Sequence, residues 1–167
     1  MRDDLFRKQY DFELEQRNAL ASAINVPVVA ITVLTSAASV ALLDFPYASN
    51  IPTYAFLAFV TLTIMAVLFA TYSVFRSSWN YEYQKLAPPS ELRRNLNSLV
   101  AWHLKGGALL DSAQQSADAD FQEFLEDRLA EAGAWNGQNN LVRGNFLQRA
   151  TAAVAFAIAV LVPTAGL

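Results

Sequence analysis

The charged residues of this chain are segregated from three long apolar runs. No Asp, Glu, Lys or Arg falls within residues 18–43, 45–75 or 150–167, and all twelve Lys and Arg residues lie outside these runs. A helix rises about 1.5 Å per residue, so roughly 20 apolar residues cross the ~30 Å hydrocarbon core of a bilayer. The runs therefore predict three transmembrane helices, over residues 24–43, 51–75 and 150–167.

Two other kinds of structure can contain apolar runs. One is a soluble core of buried helices, but adjacent runs of this length joined by a short polar turn are typical of a membrane hairpin. The other is a cleaved signal peptide, whose apolar segment is about 7–15 residues long and follows a short basic start. Here some two dozen residues, five of them acidic, precede a longer run, so membrane insertion is favoured.

The basic residues indicate how the chain is oriented in the membrane. Four Lys or Arg residues precede the first run and four lie within residues 76–94, whereas the connector over residues 44–52 contains none. Because cytoplasmic loops are enriched in Lys and Arg, we expect the N-terminus and residues 76–149 to be cytoplasmic. The connector and the C-terminus would then lie outside, in a multi-pass protein of the bacterial inner membrane.

The predicted fold class is all-α, an integral membrane protein with three transmembrane helices and a helical cytoplasmic region. The predicted parts are a cytoplasmic amphipathic helix over residues 1–23, a transmembrane hairpin over residues 24–75, a helical cytoplasmic region over residues 76–149 and a third transmembrane helix over residues 150–167.

The polar segments have the apolar spacing of helices. Phe6, Tyr10 and Leu14 recur at i, i+4 and i+8, and one stripe of this kind predicts packing of the first helix against another cytoplasmic helix.

Further helices are predicted after the second span. That span is expected to continue as helix to about Tyr83, and a helix over residues 91–105 follows, with Ser90 as its N-cap. Residues 106–118 are small and polar, which indicates a linker. A long helix, which three glycines could kink, is expected from about residue 120 into the membrane.

Four hydroxyl side chains recur at helical spacing in the first span. They are Thr32, Thr35, Ser36 and Ser39. Small residues let membrane helices approach closely and form hydrogen bonds between helices. The stripe is open to three interpretations: packing against the second span of the same chain, self-association with another copy, or a weakly polar pore wall. No charged residue lies in any span, which argues against a proton pump or an ion-coupled transporter.

The chain offers no recognisable catalytic, cofactor or metal site. It contains no cysteine, which excludes disulfides, zinc-thiolate sites and thiol catalysis. His103 has no further metal ligand at a suitable spacing, and Asp118 and Asp120 fit helix caps better than a calcium loop. A net charge of −3 leaves no basic surface for nucleic acid. We therefore predict a protein that is not an enzyme and uses no cofactor.

Two polar groups within residues 76–149 are candidates for contact with a cytoplasmic protein partner. They are Glu123, Glu126 and Asp127, followed by Asn136, Asn139 and Arg143. The first group forms an acidic helix side opposite an apolar one. The second lies close to the third span, where its alternatives are a hydrogen-bonded interface between helices of the same chain and contact with a small ligand or a lipid headgroup.

The order of these parts resembles that of small bacterial membrane proteins that act as effectors in antiphage defence modules. The residues that carry the resemblance are Tyr10-Asp11-Phe12-Glu13-Leu14-Glu15 before the proline-bearing first span, then Tyr81-Glu82-Tyr83, Leu86, Pro88 and Glu91-Leu92. The resemblance implies a protein that oligomerises and breaches or depolarises the inner membrane. Because this chain lacks a recognisable nucleotide-sensing domain, its trigger would come from a partner.

Three functional hypotheses follow. The first is a non-enzymatic inner-membrane protein that self-assembles and forms a pore or disrupts the membrane, as a defence effector controlled by a partner. The second is a membrane-anchored adaptor that docks a soluble partner through residues 76–149. The third is a lipid-modifying enzyme. The expected partners are the lipid bilayer, further copies of the chain and a cytoplasmic protein, with no role for nucleic acid.

Overall fold

A computed structural model of the chain describes residues 2–166, and every regular element within that range is helical. The elements are α1 (Arg2–Ala23), α2 (Asn25–Asp44), α3 (Ile51–Ser78), α4 (Pro89–Lys105), α5 (Leu110–Leu161) and a short 3-10 helix over Val162–Gly166. Helices make up 87% of the structure, and three helical stretches are long and apolar enough to cross a membrane. This confirms the predicted fold class.

The chain divides into two compact units. The first, here called the polar unit, combines the chain up to Gln16 with Glu82–Asn139. The second, here called the membrane unit, combines Arg17–Tyr81 with the chain from Asn140 onward.

The membrane unit is built from α2, α3 and the last part of α5. Its buried cluster comprises Leu34, Ala66, Ala70, Val154 and Ala157. Because lipid tails are as apolar as leucine, helices in a bilayer associate through close packing of small residues more than through hydrophobic burial. The alanines of α3 and α5 permit that close approach.

The connector between α2 and α3 is held by its own side chains. Oδ1 of Asn50, the residue before α3, accepts hydrogen bonds from the Thr53 amide at 3.1 Å and from the Thr53 hydroxyl at 2.8 Å. Asn50 is therefore the N-cap of α3. The rings of Phe45 and Phe56 stack with their centroids 3.9 Å apart, which ties the end of α2 to the start of α3.

The junction between α1 and α2 is explained by Pro27. In a continuous helix the backbone nitrogen of Pro27 would donate to the carbonyl oxygen of Ala23, but proline has no N–H and its ring clashes with that carbonyl. Ile24 keeps helical dihedral angles, with φ −59° and ψ −29°. The interruption is therefore confined to one residue.

The core of the polar unit forms where α1 packs on α5. Tyr10, Leu129 and Ala132 are buried together, and Phe6, Leu14 and Leu86 pack against them. The predicted packing of the apolar stripe of α1 against another helix is confirmed.

The predicted linker over residues 106–118 is mostly helix, because α5 begins at Leu110 and continues without a break to Leu161. Ala113 and Ala117 are completely buried, and alanine has the highest intrinsic helix propensity. The glycines do not interrupt α5. Gly133, for example, lies where a Cβ would contact the Tyr10 backbone at an ordinary 3.9 Å, so α1 packs closely on α5 at this position.

The predicted extension of α3 to Tyr83 is wrong, because α3 ends at Ser78. Asn80 adopts a positive φ of 62°, a conformation that helices do not contain. The start predicted for the next helix is also wrong by two residues. Helix α4 begins at Pro89, whose missing N–H and fixed φ suit the first helical position. Its predicted end at Lys105 is confirmed.

Candidate functional site

The four hydroxyl residues of α2 all lie on its exposed surface. We call Thr32, Thr35, Ser36 and Ser39 the hydroxyl face. Each hydroxyl donates a hydrogen bond to the carbonyl oxygen four residues earlier in the same helix, at 2.8–3.0 Å. These bonds satisfy the hydroxyl donors within α2. Because a hydroxyl has two acceptor lone pairs, each oxygen can still accept from a donor on a second helix.

The hydroxyl face points away from the helices that pack against α2. The buried residues of α2 are Pro27, Leu34 and Ala38, and Leu34 joins the core shared with α3 and α5. Ser36 follows Leu34 by two residues, which is about 200° around a helix of 3.6 residues per turn. The interpretation in which this stripe packs against the second span of the same chain is therefore wrong. Within the described residues, no other helix of the chain covers the hydroxyl face.

Sequence analysis missed three hydroxyl groups that are buried within the membrane unit. Thr63, Ser73 and Ser77 of α3 are at most 1% exposed. Thr63 donates to the Phe59 carbonyl oxygen at 2.9 Å and Ser77 to that of Val74 at 2.8 Å. Within the described residues, the Ser73 hydroxyl is buried without a hydrogen-bond partner. The signal that could have revealed this face is the run of small residues at spacings of three and four along α3.

Residues 82–88, here called the strap, form a non-helical segment whose backbone is bound by side chains of α5. Asn136 is completely buried. Its Oδ1 accepts from the Gln84 amide at 2.9 Å, and its Nδ2 donates to the Gln84 carbonyl oxygen at 3.0 Å. A backbone outside helices and sheets needs such partners where it is removed from water, so Asn136 supplies both.

Two further α5 side chains bind the strap. Nε1 of Trp135 and Nδ2 of Asn139 both donate to the Glu82 carbonyl oxygen, at 2.8 and 2.7 Å. Asn136 and Asn139 thus form a hydrogen-bonded interface within the chain, one of the two alternatives for this polar stretch. Asn136 in particular has no surface to present to a partner.

Arg143 belongs to the membrane unit, where it binds the end of α3. Its Nε donates to the Ser77 carbonyl oxygen at 2.8 Å, and its guanidinium carbon lies 5.8 Å from the centre of the Tyr81 ring. The side chain is only 7% exposed. A cation at a helix C-terminus interacts favourably with the partial negative charge of the last carbonyl groups, so Arg143 acts as a cap for α3.

Glu13, which the sequence analysis named only as part of the segment that carries the resemblance, is a buried carboxylate. It is 6% exposed, and its Oε1 accepts a hydrogen bond from Nε2 of Gln9 at 2.7 Å. A Cβ added to Gly137 would lie only 3.2 Å from that oxygen. The glycine therefore makes room for the carboxylate between α1 and α5.

The acidic candidates on α5 differ in exposure. Glu123 and Asp127 are exposed, whereas Glu126 is half-buried. Asp120 does not cap a helix, because it lies inside α5, and its Oδ2 is 2.8 Å from Nε2 of His103. This contact links α4 to α5 and gives His103 a structural role. Of the three acidic candidates, Glu123 and Asp127 are therefore the ones on the exposed surface of α5.

These arrangements bind helices to one another and contain no catalytic constellation that we can identify. Among residues 2–166, no group of three His, Asp or Glu side chains is close enough to hold a metal ion. No family model, curated protein or solved structure matches this chain. Within the described residues, the exposed hydroxyl face is a feature that the internal packing of the chain leaves unexplained.

Proposed function

We propose that this chain is a non-enzymatic membrane protein that self-assembles through the hydroxyl face of α2, and that the assembly forms a pore or otherwise disrupts the membrane. The observation that carries the proposal is the exposure of Thr32, Thr35, Ser36 and Ser39. Thr32, Ser36 and Ser39 lie on the side of α2 opposite Leu34, and Thr35 lies on its flank. A helix that met only lipid there would gain nothing from four small hydroxyl residues in place of larger apolar ones.

The physical basis is helix association in lipid. Small side chains allow two backbones to approach closely, and hydrogen bonds between membrane helices contribute roughly 0.6–2 kcal/mol each. The spacing Thr32-x-x-x-Ser36-x-x-Ser39 keeps three hydroxyls on one side over about two turns. In a symmetric ring, the hydroxyls that do not contact a neighbouring copy would line a weakly polar path.

The proposed setting is the bacterial inner membrane, with the polar segments in the cytoplasm. Its support is the distribution of Lys and Arg, none of which lies between Arg17 and Arg76. The layout resembles that of antiphage defence effectors, so we propose that a cytoplasmic partner controls the assembly. The exposed carboxylates of Glu123 and Asp127 support a contact surface for that partner.

The experiment replaces the hydroxyl face and compares it with another exposed side of α2. Thr32→Leu/Ser36→Leu/Ser39→Leu is compared with Val26→Leu/Val33→Leu/Val40→Leu, in which three valines that are at least 58% exposed receive the same side chain. The mass of the detergent-solubilised protein and the membrane potential of expressing cells, followed with a dye, are measured for both. We expect the hydroxyl-face variant to be monomeric and inactive and the valine variant to behave as wild type.

Two results would contradict this proposal. A wild-type protein that is monomeric in several mild detergents would contradict self-assembly. If the protein is an oligomer but the membrane potential stays unchanged, with or without its partner, self-assembly would be supported and pore formation would be contradicted.

A second candidate function is a membrane-anchored adaptor, which the exposed acidic side of α5 favours. In that case Glu123→Lys/Asp127→Lys should abolish function, while the leucine variant of the hydroxyl face should retain it. Asp111→Lys, at another exposed acid of α5, is the matched control. The reverse pattern, in which only the leucine variant loses function, would exclude the adaptor.

A further inference from the structure

A groove in the membrane unit runs between α2 and the end of α5. Its volume is 540 Å³, and its walls are apolar side chains that include Leu34, Ala37, Ala41 and Ile158. The polar members of its lining are Asp44 and Thr164, both at one end. The Thr164 hydroxyl already donates to the Leu161 carbonyl oxygen at 2.6 Å, so Asp44 is the group at this end that is open to a ligand.

The groove has the depth of one lipid leaflet. From Leu34, near the middle of α2, to Asp44 at its end there are ten residue steps, about 15 Å along the helix axis. Half of the ~30 Å hydrocarbon core is the same distance. The apolar part of the groove therefore matches one acyl chain, and Asp44 lies at the depth of the lipid headgroup.

Asp44 is a carboxylate in an unfavourable place. It ends α2, where the partial negative charge of the terminal carbonyl groups repels an anion. Within residues 2–166 its side chain forms no hydrogen bond or ion pair. No Lys or Arg occurs between Arg17 and Arg76 or after Arg149. No basic side chain of the described spans therefore lies beside Asp44, whose carboxylate is exposed and can meet a cation in its surroundings.

We propose that this groove binds one phospholipid that carries an ammonium headgroup, such as phosphatidylethanolamine. One acyl chain lies against Ala37, Ala41 and Ile158, and the ammonium group donates to the carboxylate of Asp44. A helix of a second copy would offer Asp44 no cation, because no Lys or Arg lies between Arg17 and Arg76.

The membrane unit contains an internal comparison for this site. A second groove of 520 Å³ adjoins the first at Leu34 and Ile158 and is lined by Val26, Val29 and Val33, with Asn25 as its one polar residue. It offers an acyl chain a similar apolar volume without a charged group. Lipid there should show no preference for an ammonium headgroup.

The test is native mass spectrometry of the full chain in detergent, titrated with phosphatidylethanolamine or phosphatidylglycerol that carry identical acyl chains. Exposed ion pairs contribute roughly 0.2–1 kcal/mol, so we expect phosphatidylethanolamine to be retained about 1.5- to fivefold more than phosphatidylglycerol. Asp44→Asn should remove this preference and Asp44→Glu should keep it. Ala37→Phe should reduce retention of both lipids, whereas Val40→Phe, which lies outside the groove lining, should not. Circular dichroism checks that each variant is folded.

Four outcomes would overturn the proposal. One is equal retention of the two lipids by the wild-type chain. Another is an Asp44→Asn variant that keeps the preference. The third is an Ala37→Phe variant that changes the oligomer distribution and leaves lipid retention unaltered, which would assign the groove to a second copy. Free ethanolamine, which has no acyl chains, should not compete with phosphatidylethanolamine for the groove. Competition at equal concentration, the fourth outcome, would show that the site binds only the ammonium group.

Discussion

The side chain of Asn136 binds both backbone groups of Gln84, accepting from its amide at 2.9 Å and donating to its carbonyl oxygen at 3.0 Å. These two hydrogen bonds connect residues that are 52 positions apart in the sequence. They let the strap run along α5 without joining a helix or a sheet. The arrangement is typical of a segment whose path must be specified by side chains because its backbone has no regular partner.

Removing the Asn136 amide is expected to release the strap. Asn136→Ala leaves the N–H and the C=O of Gln84 without their partner, at a cost of roughly 1–3 kcal/mol. The cost should appear as local opening, because the strap has no regular backbone pairing to replace the lost bonds. Amide hydrogen exchange measured by mass spectrometry should become faster in residues 82–88 and remain unchanged in α2.

The matched control for this prediction is Asn145→Ala. Asn145 is an exposed asparagine of the same helix, and substitutions at such surface positions usually change stability by less than about 0.5 kcal/mol. Equal exchange protection of the strap in Asn136→Ala and in wild type would show that Asn136 does not hold it.

The hydroxyl face illustrates what the sequence could and could not predict about the candidate site. The spacing of Thr32, Ser36 and Ser39 identifies a common side of a helix. In a soluble protein the apolar side would then be assigned to the core, but in a bilayer both the core and the surroundings are apolar. The side of α2 that faces outward can be assigned only from the burial of Leu34 and Ala38. That burial depends on where α3 and α5 pack, which the sequence does not give.

Two glycines of α5 should respond in opposite ways to substitution by alanine. Alanine is favoured over glycine inside a helix by about 1 kcal/mol. At Gly133 the new Cβ would meet the Gln9 side chain at an ordinary 3.7 Å, so Gly133→Ala should stabilise the protein by up to that amount. At Gly137 it would meet Glu13 Oε1 at 3.2 Å. Because Glu13 is buried and hydrogen-bonded, Gly137→Ala should lower stability by about 1 kcal/mol.

Thermal unfolding in detergent measures both glycine effects. Gly144→Ala serves as a second control, since its Cβ would lie 3.9 Å from a Leu20 methyl group and should behave like Gly133→Ala. If the loss at Gly137 comes from contact with Glu13, a double-mutant cycle with Glu13→Ala should give a coupling of at least about 0.5 kcal/mol. An increase in melting temperature for Gly137→Ala equal to that for Gly133→Ala would contradict this account.

Asn80 should tolerate glycine and reject a β-branched side chain. Its φ of 62° costs most residues roughly 1–2 kcal/mol, and asparagine and glycine are the residues that adopt it most readily. Asn80→Val should therefore lower the free energy of unfolding by about 1–2 kcal/mol, and Asn80→Gly should leave it unchanged or raise it. Asn97→Val, at an exposed position of α4, should change it by less than about 0.5 kcal/mol. Equal melting temperatures for the valine and glycine variants of Asn80 would contradict the prediction.

The start of α5 was predicted about ten residues too late, and the reason differs from the reason that the direction of the hydroxyl face could not be predicted. Small polar residues after Gly106 and Gly107 are typical of a linker, and this pattern led to the prediction. The intrinsic helix propensity of this segment already argued against a linker, since Ala113 and Ala117 are strong helix formers. Their complete burial shows that packing also favours the helix. The partners that Asn136 and Arg143 bind, Gln84 and Ser77, could not be predicted because the contacts join residues more than 50 positions apart.

Ser73 gives a prediction in which removing a polar group stabilises the membrane unit. Its hydroxyl is buried without a hydrogen-bond partner among the described residues, and such a group costs about 1–3 kcal/mol. Ser73→Ala should therefore raise the melting temperature in detergent, by an amount equivalent to about 1 kcal/mol. Ser77→Ala is the matched control, because the Ser77 hydroxyl donates to the Val74 carbonyl oxygen at 2.8 Å and its removal should give no gain. A lower melting temperature for Ser73→Ala than for wild type would show that the Ser73 hydroxyl is satisfied in the membrane.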